Sequence, residues 1–409
     1  MGRYKLRIII LLSGLLLLLN ACSTKSRSEV NLDHALSLID SVEVDGQILT
    51  YLWIYAEAPD YQTIPAQGEG VTCVDDVGRF MEVLERSILE YDRTDLLPIA
   101  RGMTKFLLYL ARDDGLWYNF METDGTINTT HKNSQAEFGW WAIRGLRGLA
   151  AAYNLFHELN LYDALQAEIA LKVNAATVHI DKVLNHYSQY KSSLLGKRPA
   201  WLVHGAPDKS SELVLALTKL HQTGEFDFFT EIKQLSQGLV ASQFRLPGHE
   251  LNGMYFCWEN IWHGWGNTQA YALMEAYRIT GDIVFLKSVR LWADNFASYL
   301  IDNQFPRRIT VNSDYTYSVA EFPQIAYGIN SSYQGLKALW NVTQEQKYLI
   351  QADRIYDWFS GNNVTGQKLY DPRTGRCFDG IIAPADINRN SGAESTIECL
   401  LAALEKYTN

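Results

Sequence analysis

The chain has 409 residues, of which 46 are acidic and 36 basic, giving a formal net charge of −10. This acidity argues against nucleic acid as a partner and, less strongly, against highly anionic polymers as substrates. The 11 tryptophans, 23 tyrosines and 16 phenylalanines are enough to fill a large core and still supply a cleft with aromatic side chains.

Residues 1–21 have the three-part form of a secretory signal, with the basic MGRYKLR, the apolar IIILLSGLLLLL and then LNA before Cys22. The ending LNAC resembles the lipobox of bacterial lipoproteins, which implies a lipid on Cys22 and a tether over residues 22–30. An ordinary signal peptide or an uncleaved anchor is the alternative. Ser23 follows Cys22 and no acidic run comes after it, so we expect a cell-envelope lipoprotein anchored in the outer membrane and facing the periplasm.

Four further cysteines, Cys73, Cys257, Cys377 and Cys399, are far apart in the sequence. Their spacing matches no zinc pattern, so we expect neither a metal ion nor another cofactor. An oxidising compartment would permit disulfides, with Cys73 and Cys377 as one candidate pair. Four buried free thiols are the alternative.

From about residue 76 onward, apolar residues recur at steps of three and four, which predicts one helix after another. Together with the segment NLDHALSLIDSV (residues 31–42), the pattern predicts twelve helices. Short turns alternate with long loops, and the helices that follow long loops begin near residues 76, 134, 209, 266, 324 and 391.

A repeat of this length is typical of helical hairpins. Five hairpins form from neighbouring helices, and the sixth needs the N-terminal helix to pair with the C-terminal one. We therefore predict that residues 31–409 form one all-α domain, an (α/α)6 toroid closed into a ring. No strand pattern predicts a separate β-domain, and residues 368–381 are expected to form a loop or small hairpin.

The six long loops all lead into the first helix of a hairpin, so we expect them at one face of the ring, here called the rim. Each loop motif alone is more often a helix cap, but six on one face predict an aromatic-walled cleft with a few placed polar groups. The motifs are CVDD (73–76), HKNSQAEFGWW (131–141), HGAPDKSSE (204–212), CWENIWHGWGN (257–267), SVAEFPQ (318–324) and NRNSGAE (388–394).

These hairpins and motifs resemble the six-hairpin glycosidase superfamily from about residue 32 to the end and, more distantly, glycoside hydrolase family 9. TCVDDVGRF stands where family 9 has an Asp-Ala-Gly-Asp stretch with the catalytic base. NRNSGAEST stands where family 9 has an Asn-Glu pair with the acid, and WFSGNNVTG resembles its Leu-Gly-x-Asn-Pro stretch. The sequence departs from that family in lacking the Ala-Gly spacer and the His-His-Arg substrate stretch.

The resemblance implies a glycosidase that acts on a poly- or oligosaccharide with two carboxyl groups, with inversion expected. Asp75 or Asp76 would be the general base and Glu394 the general acid, while Glu137 and Glu321 are rival acids at matching points of other hairpins. Substrate contacts are expected from His131, Glu137, Trp140, His204, Trp258, Trp262, His263, Glu321 and Arg389.

Three other hypotheses remain open at this stage. A polysaccharide lyase or unsaturated-uronide hydrolase on the same toroid could use the rim histidines and the rim cations. A non-catalytic glycan-binding lipoprotein would need the tryptophans but not two opposed acids. Finally, Asn390 or Ser391 could simply cap the last helix with Glu394 in its first turn, and an Arg389–Glu394 contact would favour that interpretation.

The lipobox-like ending predicts that Cys22 is the attachment point of the protein. Replacing Cys22 by serine removes the thiol that would be lipidated, so we expect the variant to leave the membrane fraction after cell lysis. Fractionation and immunoblotting of both forms measure this, and a variant that stays in the membrane fraction would show that the anchor is not a lipid on Cys22.

Overall fold

The computed structural model describes residues 30–407, so the predicted signal, Cys22 and most of the predicted tether lie outside the described residues. Besides two single-turn 3-10 segments, this part of the chain forms twelve helices. They are α1 (Asp33–Ser37), α2 (Val74–Tyr91), α3 (Leu97–Leu110), α4 (Trp140–Leu159), α5 (Asp163–Leu184), α6 (Pro207–Gln222), α7 (Phe229–Ala241), α8 (Gln269–Thr280), α9 (Ile283–Leu291, continued through a π-helical stretch, Trp292–Ala297, to Ser298–Asp302), α10 (Ala326–Thr343), α11 (Gln346–Tyr356) and α12 (Ala393–Tyr407).

Six of these helices, α2, α4, α6, α8, α10 and α12, form an inner ring. Each packs on the next, and α12 packs back on α2. Helices α3, α5, α7, α9 and α11 lie outside, each against the inner helix that precedes it in the chain. The predicted all-α (α/α)6 toroid is therefore confirmed.

The sixth outer position differs from the prediction of a helix over residues 31–42. Only Asp33–Ser37 is helical, and it contacts α12. The chain then forms the antiparallel strands β1 (Ile39–Val44) and β2 (Gln47–Leu52), and β2 packs on α3. Asp45 and Gly46 join the strands with positive φ angles of 49° and 75°, as a two-residue hairpin turn requires.

Short antiparallel strands in the connections shape the rim, and they are too short and scattered to form a separate β-domain. The hairpin expected within residues 368–381 is present as β12–β13. The remaining strands are β3 (Tyr55–Glu57), β4 (Gln62–Ile64), β5 (Thr72–Cys73), β6 (Phe120–Met121), β7 (Tyr190–Ser193), β8 (Gly196–Pro199), β9 (Ile261–His263), β10 (Arg308–Val311), β11 (Tyr317–Ala320), β12 (Tyr370–Asp371), β13 (Arg376–Cys377), β14 (Gly380–Ala383) and β15 (Asp386–Asn388).

The inner helices begin close to their predicted positions except for α4, which begins at Trp140 instead of near residue 134. The difference arises because Glu137 forms a β-bridge with Trp117, which keeps this part of the loop extended. Within residues 30–407, no helix is both long and apolar enough to cross a membrane.

Helices α2 and α4 touch through their backbones. A Cβ atom on Gly78 would lie 2.4 Å from the carbonyl oxygen of Arg144, and one on Gly148 would lie 2.6 Å from the Cα of Gly78. Both distances are too short for any side chain. This close approach sets the distance between the first turns of α2 and α4, which carry rim residues.

The crossing generates a prediction about Gly78→Ala. In an unobstructed helix this change would stabilise the protein by about 0.5–1 kcal/mol. Here the added methyl group would clash with the backbone carbonyl of Arg144, which cannot move to another rotamer as a side chain could. We therefore expect the free energy of unfolding to fall by about 1–3 kcal/mol. Urea unfolding of the variant and the wild type measures the difference, and a higher midpoint for the variant would contradict the close crossing.

Candidate active site

A cleft of about 420 Å³ opens at the rim where the first and last inner helices meet. We call it the carboxylate cleft because acidic side chains from several segments line it. Ring closure brings these segments together, as shown by Arg79 and Glu394, which are 315 positions apart and in contact. The lining includes Tyr55, Glu69, Cys73, Asp75, Asp76, Arg79, Asn119, Phe120, Asp379, Asn388, Glu394 and Ser395.

The guanidinium of Arg79 lies at the base of this cleft, with only 5% of its side chain exposed. It donates to Asp76 at 2.7 Å, to Glu398 at 2.9 Å and to Glu394 at 3.3 Å. The aromatic ring of Tyr327 lies 5.2 Å from it. One cation therefore holds three carboxyl groups from the two helices that close the ring.

The two adjacent aspartates occupy different environments. Asp76 is 3% exposed, and it accepts from Arg79 and from the thiol of Cys73 at 3.3 Å. Burial raises the pKa of Asp76, while Arg79 opposes the rise. The side chain of Asp75 is 34% exposed and its Oδ1 lies 3.8 Å from Nε of Arg144. Asp75 is thus the aspartate of the pair that presents its carboxyl group to the cleft.

Glu394 belongs to the first turn of α12, and 47% of its side chain is exposed. Desolvation by the surrounding protein raises its pKa, Arg79 opposes the rise, and the nearby Asp76 and Asp75 reinforce it. A carboxyl group that is open to a cleft and has a raised pKa can hold a proton for donation.

The start of α12 is capped from outside the predicted motif. Asp379, in the loop after β13, accepts from the backbone N–H of Gly392 at 2.9 Å and from the hydroxyl of Ser395 at 2.7 Å. Asn390 instead accepts from the backbone of Ala58, so it does not serve as the expected cap. Asp379 also lines the cleft. The sequence pattern around it indicated neither its capping of α12 nor its place in the cleft.

The neighbouring candidate Ser391 also has another partner, since its hydroxyl donates to the carbonyl of Cys377 at 2.6 Å. Arg389 donates to Gln367 at 3.0 Å and stacks on Phe378, so it points away from Glu394. Arg389 and Glu394 therefore do not form the contact that would have favoured a simple helix cap. The arginine that contacts Glu394 is Arg79.

Beneath the cleft, an ionic network fills the centre of the ring. Glu212 of α6 is fully buried and contacts Arg144 at 3.3 Å, and it is also paired with Arg147. Thr268 and Tyr327 each donate to it at 3.1 Å. Burial alone would raise the pKa of Glu212, but Arg144 and Arg147 hold it below its ordinary value.

A second group of rim residues, here called the histidine cluster, comprises Glu137, Trp140, His204 and Lys209. His204 has a φ of 52°, in the left-handed region, and its Nδ1 lies 3.2 Å from Nζ of Lys209. That ammonium lies 5.8 Å from the ring of Trp140. Burial and Lys209 lower the pKa of His204, whereas Glu137 opposes the shift.

Trp140 connects the histidine cluster to the carboxylate cleft, because the guanidinium of Arg144 lies 5.9 Å from its ring and also approaches Asp75. His131 stands at the edge of the cleft, 3.7 Å from Glu69. Of the sequence-predicted binding residues, His131 thus contacts the cleft residue Glu69, and Trp140 is one side chain, Arg144, away from Asp75.

Other predicted binding residues lie elsewhere. Trp258 is 47% exposed and lines a different pocket, between β7–β8 and the loop before β9. Trp262 is 3% exposed and packs edge-on against Phe296, so it is a core residue. Glu321 is exposed, five positions before α10 begins. Among residues 30–407, the aromatic lining of the carboxylate cleft comes from Tyr55 and Phe120 instead of tryptophans.

The four described cysteines are free and buried, so the candidate pair Cys73–Cys377 is not formed. His263 is buried beside Asp208 and Cys257 and stacks on Trp265 with ring centres 4.0 Å apart. It therefore lies beneath the rim surface, not in the lining of the carboxylate cleft.

No protein-family model and no curated protein matches the sequence. Among solved structures, cellobiose 2-epimerase from Bacillus thermoamylovorans B4167 is similar with a TM-score of 0.65 and 12% identity, over 92% of this chain and 96% of that one. The two chains share the (α/α)6 toroid fold. This confirms the predicted resemblance at the level of the fold.

Two glycoside hydrolases have the same architecture. A family 76 enzyme from a bovine Bacteroides thetaiotaomicron strain is similar with a TM-score of 0.53 and 12% identity, over 88% of this chain and 74% of that one. The family 9 endoglucanase J30 is similar with a TM-score of 0.50 and 13% identity, over the same shares of 88% and 74%. The toroid thus occurs in enzymes that hydrolyse sugars and in enzymes that epimerise them.

The ionic network predicts that Glu212→Gln destabilises the protein. The change leaves Arg144 and Arg147 buried with less negative charge, and breaking a buried pair costs about 3–5 kcal/mol. A carboxylate with a lowered native pKa stabilises the fold above its unfolded value of 4.5, and this stabilisation is lost as the pH falls through the native pKa.

Urea unfolding at several pH values tests both parts of this prediction. We expect the difference between wild type and Glu212→Gln to be full at neutral pH and to shrink below pH 4.5. Glu168→Gln, on the exposed face of α5, is the matched control and should behave as wild type. Equal stabilities, or a difference that persists undiminished in acid, would contradict the assigned network.

Proposed function

We propose that this protein is a glycoside hydrolase in which Glu394 is the general acid and Asp75 the general base. The observation that supports this is the pair of partly exposed carboxyl groups that ring closure places in one cleft, from α2 and α12. Glycoside hydrolysis uses two carboxyl groups on opposite sides of the scissile bond. The toroid, which is shared with sugar-processing enzymes, agrees with this function.

The chemistry follows from the two environments. Glu394, with its raised pKa, donates its proton to the glycosidic oxygen as the bond from that oxygen to the anomeric carbon breaks. Asp75 accepts a proton from a water molecule whose oxygen forms the new bond to the same carbon. The leaving sugar keeps the proton of Glu394, and a second proton transfer through water restores both groups.

Asp76 has a positioning role in this proposal. Its Oδ1 and Oε2 of Glu394 both accept from the same nitrogen of Arg79, at 2.7 and 3.3 Å, so they lie no farther apart than the sum of those distances. That separation is smaller than the roughly 6.5–9.5 Å between the carboxyl groups of inverting enzymes. We therefore assign the base to Asp75, which is partly exposed, and not to Asp76.

The substrate we propose is a poly- or oligosaccharide. A cleft of about 420 Å³ is in the range of small-molecule sites and would hold a few sugar rings. Tyr55 and Phe120 offer apolar faces, and Glu69, Asp379 and Asn388 offer acceptors for hydroxyl groups. A lipid on Cys22, as the sequence predicts, would hold the enzyme at the outer membrane facing the periplasm.

A second candidate function is proton transfer at a sugar carbon, as in a lyase or an epimerase. The observation in its favour is His204, whose pKa is lowered by burial and by Lys209, so that the ring is unprotonated at neutral pH and available as a base. The neighbouring Lys209 could hold a uronate carboxylate or an oxygen that becomes negative. This function would depend on the histidine cluster instead of on Glu394.

The first test compares Glu394→Gln and Asp75→Asn with wild type on a panel of plant and host glycans. Each variant keeps the shape of the side chain but cannot transfer the proton, so turnover should fall by about 10²–10⁴-fold with folding intact. Glu168→Gln on the outer helix α5 is the matched control and should keep full activity. Full turnover of Glu394→Gln together with loss in Glu137→Gln or Glu321→Gln would assign the acid to another hairpin.

Product analysis separates the candidate functions in the same experiment. New reducing ends without ultraviolet absorbance indicate hydrolysis, absorbing unsaturated products indicate a lyase, and altered sugars of unchanged chain length indicate an epimerase. Loss of activity in His204→Gln but not in Glu394→Gln would favour the second candidate. Binding without any product would identify a glycan-binding protein.

The pH profile provides a further prediction. Glu394 must be protonated to act, so activity falls as the pH rises through its raised pKa. We expect the alkaline limb of kcat/KM to lie above pH 4.5, the ordinary value for glutamate, and to disappear from the residual activity of Glu394→Gln. Measuring kcat/KM against pH for both proteins checks this, and an unchanged alkaline limb in the variant would exclude Glu394 as the acid.

A further inference from the structure

Three potential metal ligands of different chemistry meet beneath the rim, away from the carboxylate cleft. They are Asp208 in the first turn of α6, Cys257 in the loop before β9, and His263 at the end of β9. A carboxylate oxygen, a thiol sulfur and a ring nitrogen, one from each residue, lie within 4.8 Å of one another. The three residues are 3%, 0% and 8% exposed, so the group is shielded from solvent.

The spacing of these atoms suits a small tetrahedral ion. Nε2 of His263 lies 3.3 Å from Oδ2 of Asp208. Two donor atoms bound to a tetrahedral zinc ion at about 2.0–2.2 Å are themselves roughly 3.3–3.5 Å apart. The histidine and the carboxylate therefore already have the separation of two ligands to one ion, and the sulfur completes a triangle of donors.

The polar atoms of the group are only partly paired with other described residues. Nδ1 of His263 is buried without a hydrogen-bond partner among the described residues. The sulfur of Cys257 accepts from the backbone N–H of His263 at 3.5 Å, donates to the carbonyl of the same residue at 3.6 Å and faces the side-chain amide of Gln269 at 4.0 Å.

We propose that Asp208, Cys257 and His263 bind a zinc ion. Thiolate, imidazole and carboxylate are ligands that zinc takes readily, and three protein ligands leave a fourth position for water. The ion would tie the first turn of α6 to strand β9 and would hold the imidazole on which Trp265 stacks at 4.0 Å. The proposal therefore differs from the expectation, drawn from cysteine spacing, that the chain has no metal site.

The spacing of the ligands explains why the sequence pattern did not indicate them. Cys257 and His263 are close in sequence, but Asp208 comes from the preceding hairpin and lies in the first turn of a helix, where acidic residues are common. In the folded chain the backbone N–H of Asp208 donates to the carbonyl of Cys257 at 3.3 Å, which joins the two hairpins at this point. The proposal does not depend on the proposed glycosidase activity.

Metal content tests the proposal directly. The full chain is produced without a histidine tag, and zinc is measured by mass spectrometry after exhaustive dialysis. We expect about one zinc per chain in wild type, and at least a tenfold lower content in Cys257→Ser and Asp208→Asn. Cys399→Ser, which removes another buried thiol, is the matched control and should keep its zinc.

Cobalt substitution shows whether the sulfur is a ligand. After chelation and addition of Co²⁺, wild type should show a thiolate-to-cobalt charge-transfer band in the near ultraviolet, and Cys257→Ser should lack it. If Cys257→Ser fails to fold, the comparison uses the chelated wild type and Asp208→Asn. Zinc should then raise the unfolding temperature of wild type alone.

Three results would overturn the proposal. The first is a wild-type protein that retains no zinc and gives no thiolate band with cobalt. The second is a Cys257→Ser variant with the zinc content of wild type. The third is an equal zinc-induced rise in the unfolding temperature of wild type and Asp208→Asn. Because none of these measurements uses a glycan, their failure would leave the proposed glycosidase function untouched.

Discussion

The guanidinium of Arg79 is the contact on which the arrangement of the site depends. It lies between the first and the last inner helix and donates to carboxylates on both. A buried charge is tolerated only when it is well paired, so this cation requires α12 to dock on α2 with Glu394 and Glu398 facing inward. The contact that closes the ring therefore also assembles the carboxylate cleft.

The same requirement for paired charge extends down the axis of the toroid. Glu212 is held ionised by Arg144 and Arg147, whereas partial desolvation in the cleft and the two nearby aspartates raise the pKa of Glu394. Carboxyl groups of one chemical type thus acquire different protonation behaviour from their neighbours alone. Tyr327 lies against both Arg79 and Arg144, so the inner network and the cleft are in contact.

The rim combines a rigid scaffold with irregular loops, an arrangement that is common in enzymes because loops can vary while helices hold them. The direct backbone contact of α2 with α4 at Gly78 and Gly148 limits how far their first turns can separate. The loops and the first turns of the inner helices together hold three chemically distinct groups: the carboxylate cleft, the histidine cluster, and the Asp208–Cys257–His263 group. Similar toroids in epimerases and hydrolases show that the frame itself does not select the reaction.

The sequence by itself determined the helices, the alternation of short and long connections, and hence the toroid and the face that carries its polar loops. It also placed Asp75, Asp76 and Glu394 at neighbouring helix starts. These features follow from apolar periodicity and connection length, which are local properties of a chain. Two local features differ from that pattern: residues 39–52 form strands around the Asp45–Gly46 turn, and α4 begins at Trp140 because Glu137 pairs with Trp117.

Only the tertiary structure decided which of several neighbouring candidate residues faces the cleft. Asp75 and Asp76 are neighbours in sequence, yet one is open and the other is held by Arg79, because successive helix residues point about 100° apart. The partner of Glu394 is Arg79 and not the nearby Arg389, and the cap of α12 is Asp379 from a separate loop. These pairings are contacts between segments that are far apart in the sequence. A periodic pattern in the sequence therefore cannot show which side chains will meet.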